Sequence, residues 1–223
     1  MELVRDLTPA LQYARSHGLH ALVIARGDDV LAQEFGDGFD AETPHPLYSG
    51  TKSFWGVTAL YARADGLLEL DERVAETIES WCSDAWKRRV TLRMLLTLTA
   101  GFGFGGLGAS VPLYERAIET PLRDEPGKRF TYGGIALQVF GAVLARKLGD
   151  GITPHDYLRE RVLKNANVAV ARWRTLRDGT LPLPTGAWLR AQDWLAYGRF
   201  VLARGSELAE CFEPCAVNPR YGL

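Results

Sequence analysis

A proline pair followed closely by a helix-forming run puts the tightest local constraint on this chain. Pro44-His45-Pro46 holds the backbone extended, because the proline rings fix φ and are excluded from a helix interior. Phe54, Trp55, Val57, Thr58, Leu60 and Tyr61 then follow at helical spacing. The stretch between them, Leu47-Tyr48-Ser49-Gly50-Thr51-Lys52-Ser53, therefore holds a helix start, where backbone N–H groups lack partners within the helix. Lys52 comes one turn after Ser49, on the same face. A hydroxyl and an amine placed in this way are what a nucleophile and its base require. The same two residues would also suit a helix cap and a solvated surface charge, and S-x-x-K alone does not separate the readings.

Composition narrows the context. The 223 residues are 47% hydrophobic and 24% charged, enough to bury the core of one large domain. The formal net charge of −1, from 26 basic and 27 acidic residues, gives no electrostatic footprint for a nucleic acid or a membrane surface. Met1-Glu2-Leu3-Val4-Arg5-Asp6 carries charges where a signal peptide needs an apolar run, and no apolar stretch is long enough to span a bilayer. A cytoplasmic protein without a membrane partner is expected. Cys82, Cys211 and Cys215 match no zinc spacing and read as free thiols in a reducing compartment. Neither a metal nor an organic cofactor is implied.

The chain in order predicts a short helix from Asp6 to Gly18 and a β-hairpin over residues 19–36 around Gly27-Asp28-Asp29. The helix that follows Ser49 ends near Asp65-Gly66, and another is expected to begin near Asp71. A helix opens on Thr91, and further helices are predicted over Ile135–Lys147, over His155–Val162 and within Trp188–Ala203. Glu125-Pro126-Gly127 reads as a turn into a short extended piece that ends at Tyr132. Gly101-Phe102-Gly103-Phe104-Gly105-Gly106 formally satisfies G-x-G-x-x-G. A dinucleotide site needs a strand before the glycines and a βαβ unit around them, and here a helical pattern precedes them. The loop is therefore read as a cleft wall. His20, His45 and His155 each stand alone, without an acid at useful spacing. Trp55, Trp173, Trp188 and Trp194 read as core or cleft lining, since no basic stripe accompanies them.

Taken together, these segments resemble the serine hydrolases of the β-lactamase and penicillin-binding-protein superfamily. The similarity is greatest to the class C-like branch of esterases, D-amino-acid peptidases and 6-aminohexanoate-dimer hydrolases. Tyr48-Ser49-Gly50-Thr51-Lys52 is similar to its nucleophile motif, and Gly66-Leu67-Leu68-Glu69-Leu70-Asp71 to the turn after the nucleophile helix. Leu95-Leu96-Thr97-Leu98-Thr99-Ala100-Gly101 is similar to L-L-x-H-x-S-G, with Leu98 and Ala100 in place of the His and Ser. Pro126-Gly127 through Phe130 to Tyr132 resembles the approach to Y-x-N, with Gly134 in place of the Asn. Pro184-Thr185-Gly186-Ala187 through Asp193 is similar to a helix start near the substrate cleft.

The resemblance implies a single α+β domain of β-lactamase/transpeptidase type. An antiparallel sheet flanked by helices would take in about 1–66 and 166–223, with a mainly helical sub-domain over about 67–165. It implies catalytic roles for Ser49, Lys52 and Tyr132, and places Gly134, Gly186 and Ala187 against a small ester, amide or β-lactam substrate. Lys52 or Tyr132 could serve as the base. An esterase or amidase is favoured over a true β-lactamase, because Gly134 has no side chain to orient the substrate. No third motif, K-T-G or H-x-G, is found before Leu223. The expectation is therefore a chain lacking the C-terminal strands, with an open sheet edge that invites self-association. The alternative is a truncated or non-catalytic relative that folds and binds but turns over poorly.

Overall fold

Two helices that are apolar on nearly every side form the interior of the computed structural model, which describes residues 6–104, 110–149, 151–218 and 222–223. In chain order, α1 (Thr8–Ser16) leads to the hairpin β1 (Ala21–Arg26) and β2 (Asp29–Phe35), then to the short β3 (His45–Pro46). A 3-10 turn over Tyr48–Lys52 passes directly into α2 (Ser53–Ala64). The helices α3 (Leu92–Leu96), α4 (Tyr114–Glu119), α5 (Ile135–Leu148) and α6 (Pro154–Leu158) follow, the last prolonged by a π turn over Arg159–Leu163. The short strands β4 (Arg172–Trp173) and β5 (Ala187–Leu189) precede α7 (Ala191–Ala203).

The α+β reading holds, but the described strands fall into two small antiparallel sheets rather than one. β1 pairs with β2, while β5 lies between β3 and β4 with His45 opposite Leu189 and Trp173 opposite Ala187. α2 buries Phe54, Trp55, Gly56, Val57, Thr58, Ala59, Leu60 and Ala62, and α5 buries every residue from Ala136 to Leu144. Helices apolar on all sides belong at the centre of a core, and both lie in one continuous cluster with α3, α4, α6 and α7 residues. The elements start and stop where their residues dictate. Thr91 caps α3 by accepting from the Met94 N–H. Thr153 and Asp156 exchange bonds at the head of α6, and Gly149 at φ 65° closes α5.

The helix expected near Asp71 does not form. Residues 70–74 instead bond laterally to 90–93, with Val74 N–H on Val90 O (2.9 Å) and Arg93 N–H on Leu70 O (2.7 Å). Those groups cannot also serve an i to i−4 ladder, and only a 3-10 turn over Val74–Glu76 remains. The extended piece before Tyr132 is likewise no strand; it is held by single bonds, Gly127 N–H to Thr99 O and Thr131 N–H to Leu98 O. His20 and His45, read as solitary, have ring centroids 5.8 Å apart, with Phe39 stacked on His20. Gly105–Gly108 of the glycine-rich loop and Pro219–Tyr221 lie outside the described residues.

Trp81 anchors the region between α2 and α3. It is 1% exposed, its indole N–H donates to Ile118 O at 3.0 Å, and the Lys87 ammonium sits over its ring while donating to the same carbonyl. Trp81→Ala should cost about 3–5 kcal/mol, read as a lower urea midpoint at an unchanged slope. A loss under about 1 kcal/mol would show that this side chain does not carry the packing assigned to it.

Candidate active site

The Ser49 turn is clamped from beneath before any chemistry is considered. Leu47 N–H donates to Ala187 O at 2.9 Å, and the buried Thr51 hydroxyl accepts from Ala187 N–H at 3.4 Å. The Ser53 hydroxyl bonds Gly50 O, and the hydroxyl of the buried Tyr197 bonds Ser53 O, each at 2.8 Å. Tyr48 enters the turn at φ 46°, a left-handed conformation costly for a residue with a side chain. Such strain persists only where surrounding bonds over-determine the backbone, as they do here.

Ser49 and Lys52 line one wall of a cavity of about 390 Å³, with Tyr132 beside them. Lys52 Nζ donates to Ser49 Oγ at 3.0 Å and to Pro184 O at 2.9 Å, and it stands 4.9 Å from the centre of the Tyr132 ring. Burial pushes the Lys52 amine below the ordinary lysine range, because removing water penalises the charged form. The Tyr132 hydroxyl works against that shift by favouring the ammonium. The neighbouring Phe54 packs its ring against Trp173, Trp194 and Tyr197.

The other cavity walls are mostly apolar. Leu96, Leu98, Leu137, Phe212 and Leu223 line them, with Ser53, Thr97 and Asn218 as further polar residues. The Asn218 amide donates to Thr97 O at 3.1 Å. Leu98 is itself left-handed at φ 58°, so non-glycine residues in this conformation stand both beside the nucleophile and in the cavity lining. The Cys211 thiol also lines the cavity, where burial pushes its pKa up to about 12 and leaves it protonated. Among the described residues no cluster of three or more His, Cys, Asp or Glu could hold a metal ion.

Of the residues expected to contact substrate, Gly134, Gly186 and Ala187 lie outside those lining the cavity. Ala187 is wholly buried in β5 and holds the Ser49 turn. Gly186, at φ 110°, lets the backbone pass so close to Arg174 that a Cβ would stand 3.0 Å from the arginine Cβ. Gly134 abuts Pro184: a Cβ there would lie 3.0 Å from Pro184 Cγ. Pro184 itself was not foreseen, since a backbone carbonyl serving as an ammonium acceptor leaves no signature in residue types. His155 is sealed between Trp55 and Trp173, where burial lowers its pKa to about 4. It packs and hydrogen-bonds as a neutral ring.

This frame of small antiparallel sheets around buried helices is the β-lactamase/transpeptidase-like fold. The chain belongs to the beta-lactamase family, whose model matches residues 4–199, and at family level it is therefore a serine hydrolase. A D-stereospecific amidohydrolase from a Streptomyces species superposes with a TM-score of 0.76 at 17% identity, over 98% of this chain and 82% of that one. A penicillin-binding protein from Bacillus halodurans gives 0.73 at 18%, over 95% and 81%. A class C beta-lactamase from Rhodobacter sphaeroides gives 0.72 at 18%, over 94% and 71%. No curated protein matches the chain in sequence. Of such similar structures the chain spans between 60% and 82% of the length. Among the described residues no helix is long and apolar enough to cross a membrane.

The buried amine sets a pH dependence with a definite sign. The unfolded chain binds the Lys52 proton up to its ordinary pKa of about 10.4, whereas the folded chain releases it earlier. Stability from this group therefore rises with pH between the lowered folded value and the unfolded one. Denaturation midpoints of wild type and Lys52→Met should converge as pH is raised from about 7 to about 10, with Lys52→Met the more favoured at the lower pH. Parallel curves would show that Lys52 titrates as an ordinary surface lysine.

Proposed function

We propose that this protein hydrolyses small esters or amides through a Ser49 acyl-enzyme, with Lys52 and Tyr132 as its proton-handling partners. The observation that supports it most is the 3.0 Å bond between Lys52 Nζ and Ser49 Oγ on a cavity wall, made by an amine whose burial favours its neutral form. A neutral Lys52 is within reach to take the Ser49 proton as Oγ bonds to the substrate carbonyl carbon. The carbonyl electron pair moves to oxygen, where the Ser49 N–H at the head of the turn is the proposed donor. As the intermediate collapses, the ammonium returns the proton to the departing alcohol or amine. Water then repeats the sequence on the acyl-enzyme, with Lys52 again taking and returning one proton. Tyr132, beneath the amine, favours the charged form that exists between these two transfers.

The mostly apolar walls at Leu96, Leu98, Leu137 and Phe212 suit a neutral acyl group, which favours an esterase or amidase over a β-lactamase. A fluorophosphonate probe reports the nucleophile without a known substrate. It should add its mass to the peptide that carries Ser49, and Ser49→Ala should abolish the adduct. Undiminished labelling of the Ser49→Ala protein would place the reactive hydroxyl elsewhere.

A further inference from the structure

The carbonyl that receives Lys52 belongs to a strap, Pro182-Leu183-Pro184, with no secondary structure of its own. Its two prolines carry no N–H, so its backbone offers three carbonyls and the Leu183 amide. Each of the four is met by a side chain. The His155 ring bonds the Pro182 backbone, and Trp55 Nε1 donates to Leu183 O at 2.6 Å. Gln138 Oε1 accepts from Leu183 N–H at 2.9 Å, and Lys52 Nζ donates to Pro184 O. Three of these groups come from helices in the core; the fourth is the amine proposed as the base.

Gln138 stands apart among them. It is fully buried in the first turn of α5, where an aliphatic residue would pack with less desolvation cost. Its amide is used at both ends, because Nε2 also donates to Pro112 O at 2.7 Å. One acceptor and one donor in fixed directions settle which way the amide points. Gln138 thus ties the strap to the stretch that precedes α4. It lies one turn along α5 from Gly134, whose bare Cα already lets Pro184 approach. Among the described residues its side-chain hydrogen bonds reach neither Ser49 nor Lys52.

We infer that Gln138 is a positioning residue for the Ser49–Lys52 pair: by fixing Leu183 it holds the Pro184 carbonyl where it aims the Lys52 amine at Ser49 Oγ. The inference rests on the reading of Lys52 as the base. Its structural part, that Gln138 governs the surroundings of Lys52, can be read without any turnover. With Gln138 replaced by an apolar side chain, the Leu183 N–H loses its acceptor inside the core and the strap shifts to find another. Pro184 O then moves off the Lys52 amine. Since a carbonyl acceptor favours the ammonium, its loss lets the amine release its proton at lower pH.

The test uses Gln138→Met, which keeps length and volume but neither donates nor accepts. Thr58→Val serves as a control, since it removes a buried hydroxyl that, among the described residues, bonds within α2 at Phe54 O. Two quantities are measured, the Lys52 titration by ¹⁵N NMR of the side-chain amines, assigned with Lys52→Met, and the rate of fluorophosphonate addition at Ser49 against pH. The expected result for Gln138→Met is a Lys52 titration moved to lower pH and labelling slowed about ten- to a hundred-fold, with the acid limb of the rate profile moved in step. Thr58→Val should move neither the titration nor the profile. An unmoved Lys52 titration in folded Gln138→Met overturns the inference, even if labelling slows, because the residue would then only stabilise the core. A moved titration in a protein whose wild type never labels at Ser49 upholds the positioning and overturns the proposed reaction instead. If Gln138→Met does not fold, Gln138→Asn, whose amide is one methylene short of Leu183, is judged by the same two readouts.

Discussion

The structure of this site depends on holding one lysine amine partly out of water while giving it acceptors. Burial alone would favour a neutral amine but leave it free to turn away. Acceptors alone would hold it in place but keep it charged. Lys52 has both, with Ser49 Oγ and Pro184 O as its bonded partners and the Tyr132 ring beneath. Burial is the larger influence and moves the amine below the ordinary lysine range, while Tyr132 works against that shift.

The rest of the fold delivers those partners. α2 brings Ser49 and Lys52 on the turn at its head, and α5 begins just after Tyr132 and carries Gln138. Because both helices are apolar on almost every side, neither can rotate or slide without opening the core, and small errors at their ends are suppressed. β5 holds the Ser49 turn through Ala187, and its approach through Gly186 leads back to the Pro182–Pro184 strap. The region from Leu68 to Trp81 contributes packing rather than chemistry, through Leu70, Val74, Ile78 and Trp81.

What was legible in the sequence follows from which signals are local. The Ser49–Lys52 relation needs only a proline-bounded start and an apolar helix, both written within residues 44–61. The hairpin, α5 with its closing Gly149 and the Thr91 cap are equally local. Tyr132 could be reached only through a resemblance, since nothing in its neighbours announces a lysine from another element. The helix expected near Asp71 failed because the decisive partners of residues 70–74 lie some twenty positions onward, at 90–93. Gly186 and Ala187 were placed against substrate by resemblance alone; in the structure Ala187 bonds the Ser49 turn and Gly186 lies against Arg174. The left-handed Tyr48 and Leu98 could not be foreseen, since neither residue type favours that conformation.

If Ser49, Lys52 and Tyr132 act as one unit, their losses are kinetically non-additive. Hydrolysis of a p-nitrophenyl ester would be compared among wild type, Lys52→Ala, Tyr132→Phe and the double variant. Groups that serve one proton-transfer path should each cost about a hundred-fold or more when lost, and losing both should cost little more than losing one. Losses that multiply in the double variant would show two independent contributions, and a Tyr132→Phe protein with the wild-type rate would leave Tyr132 as a wall of the cavity.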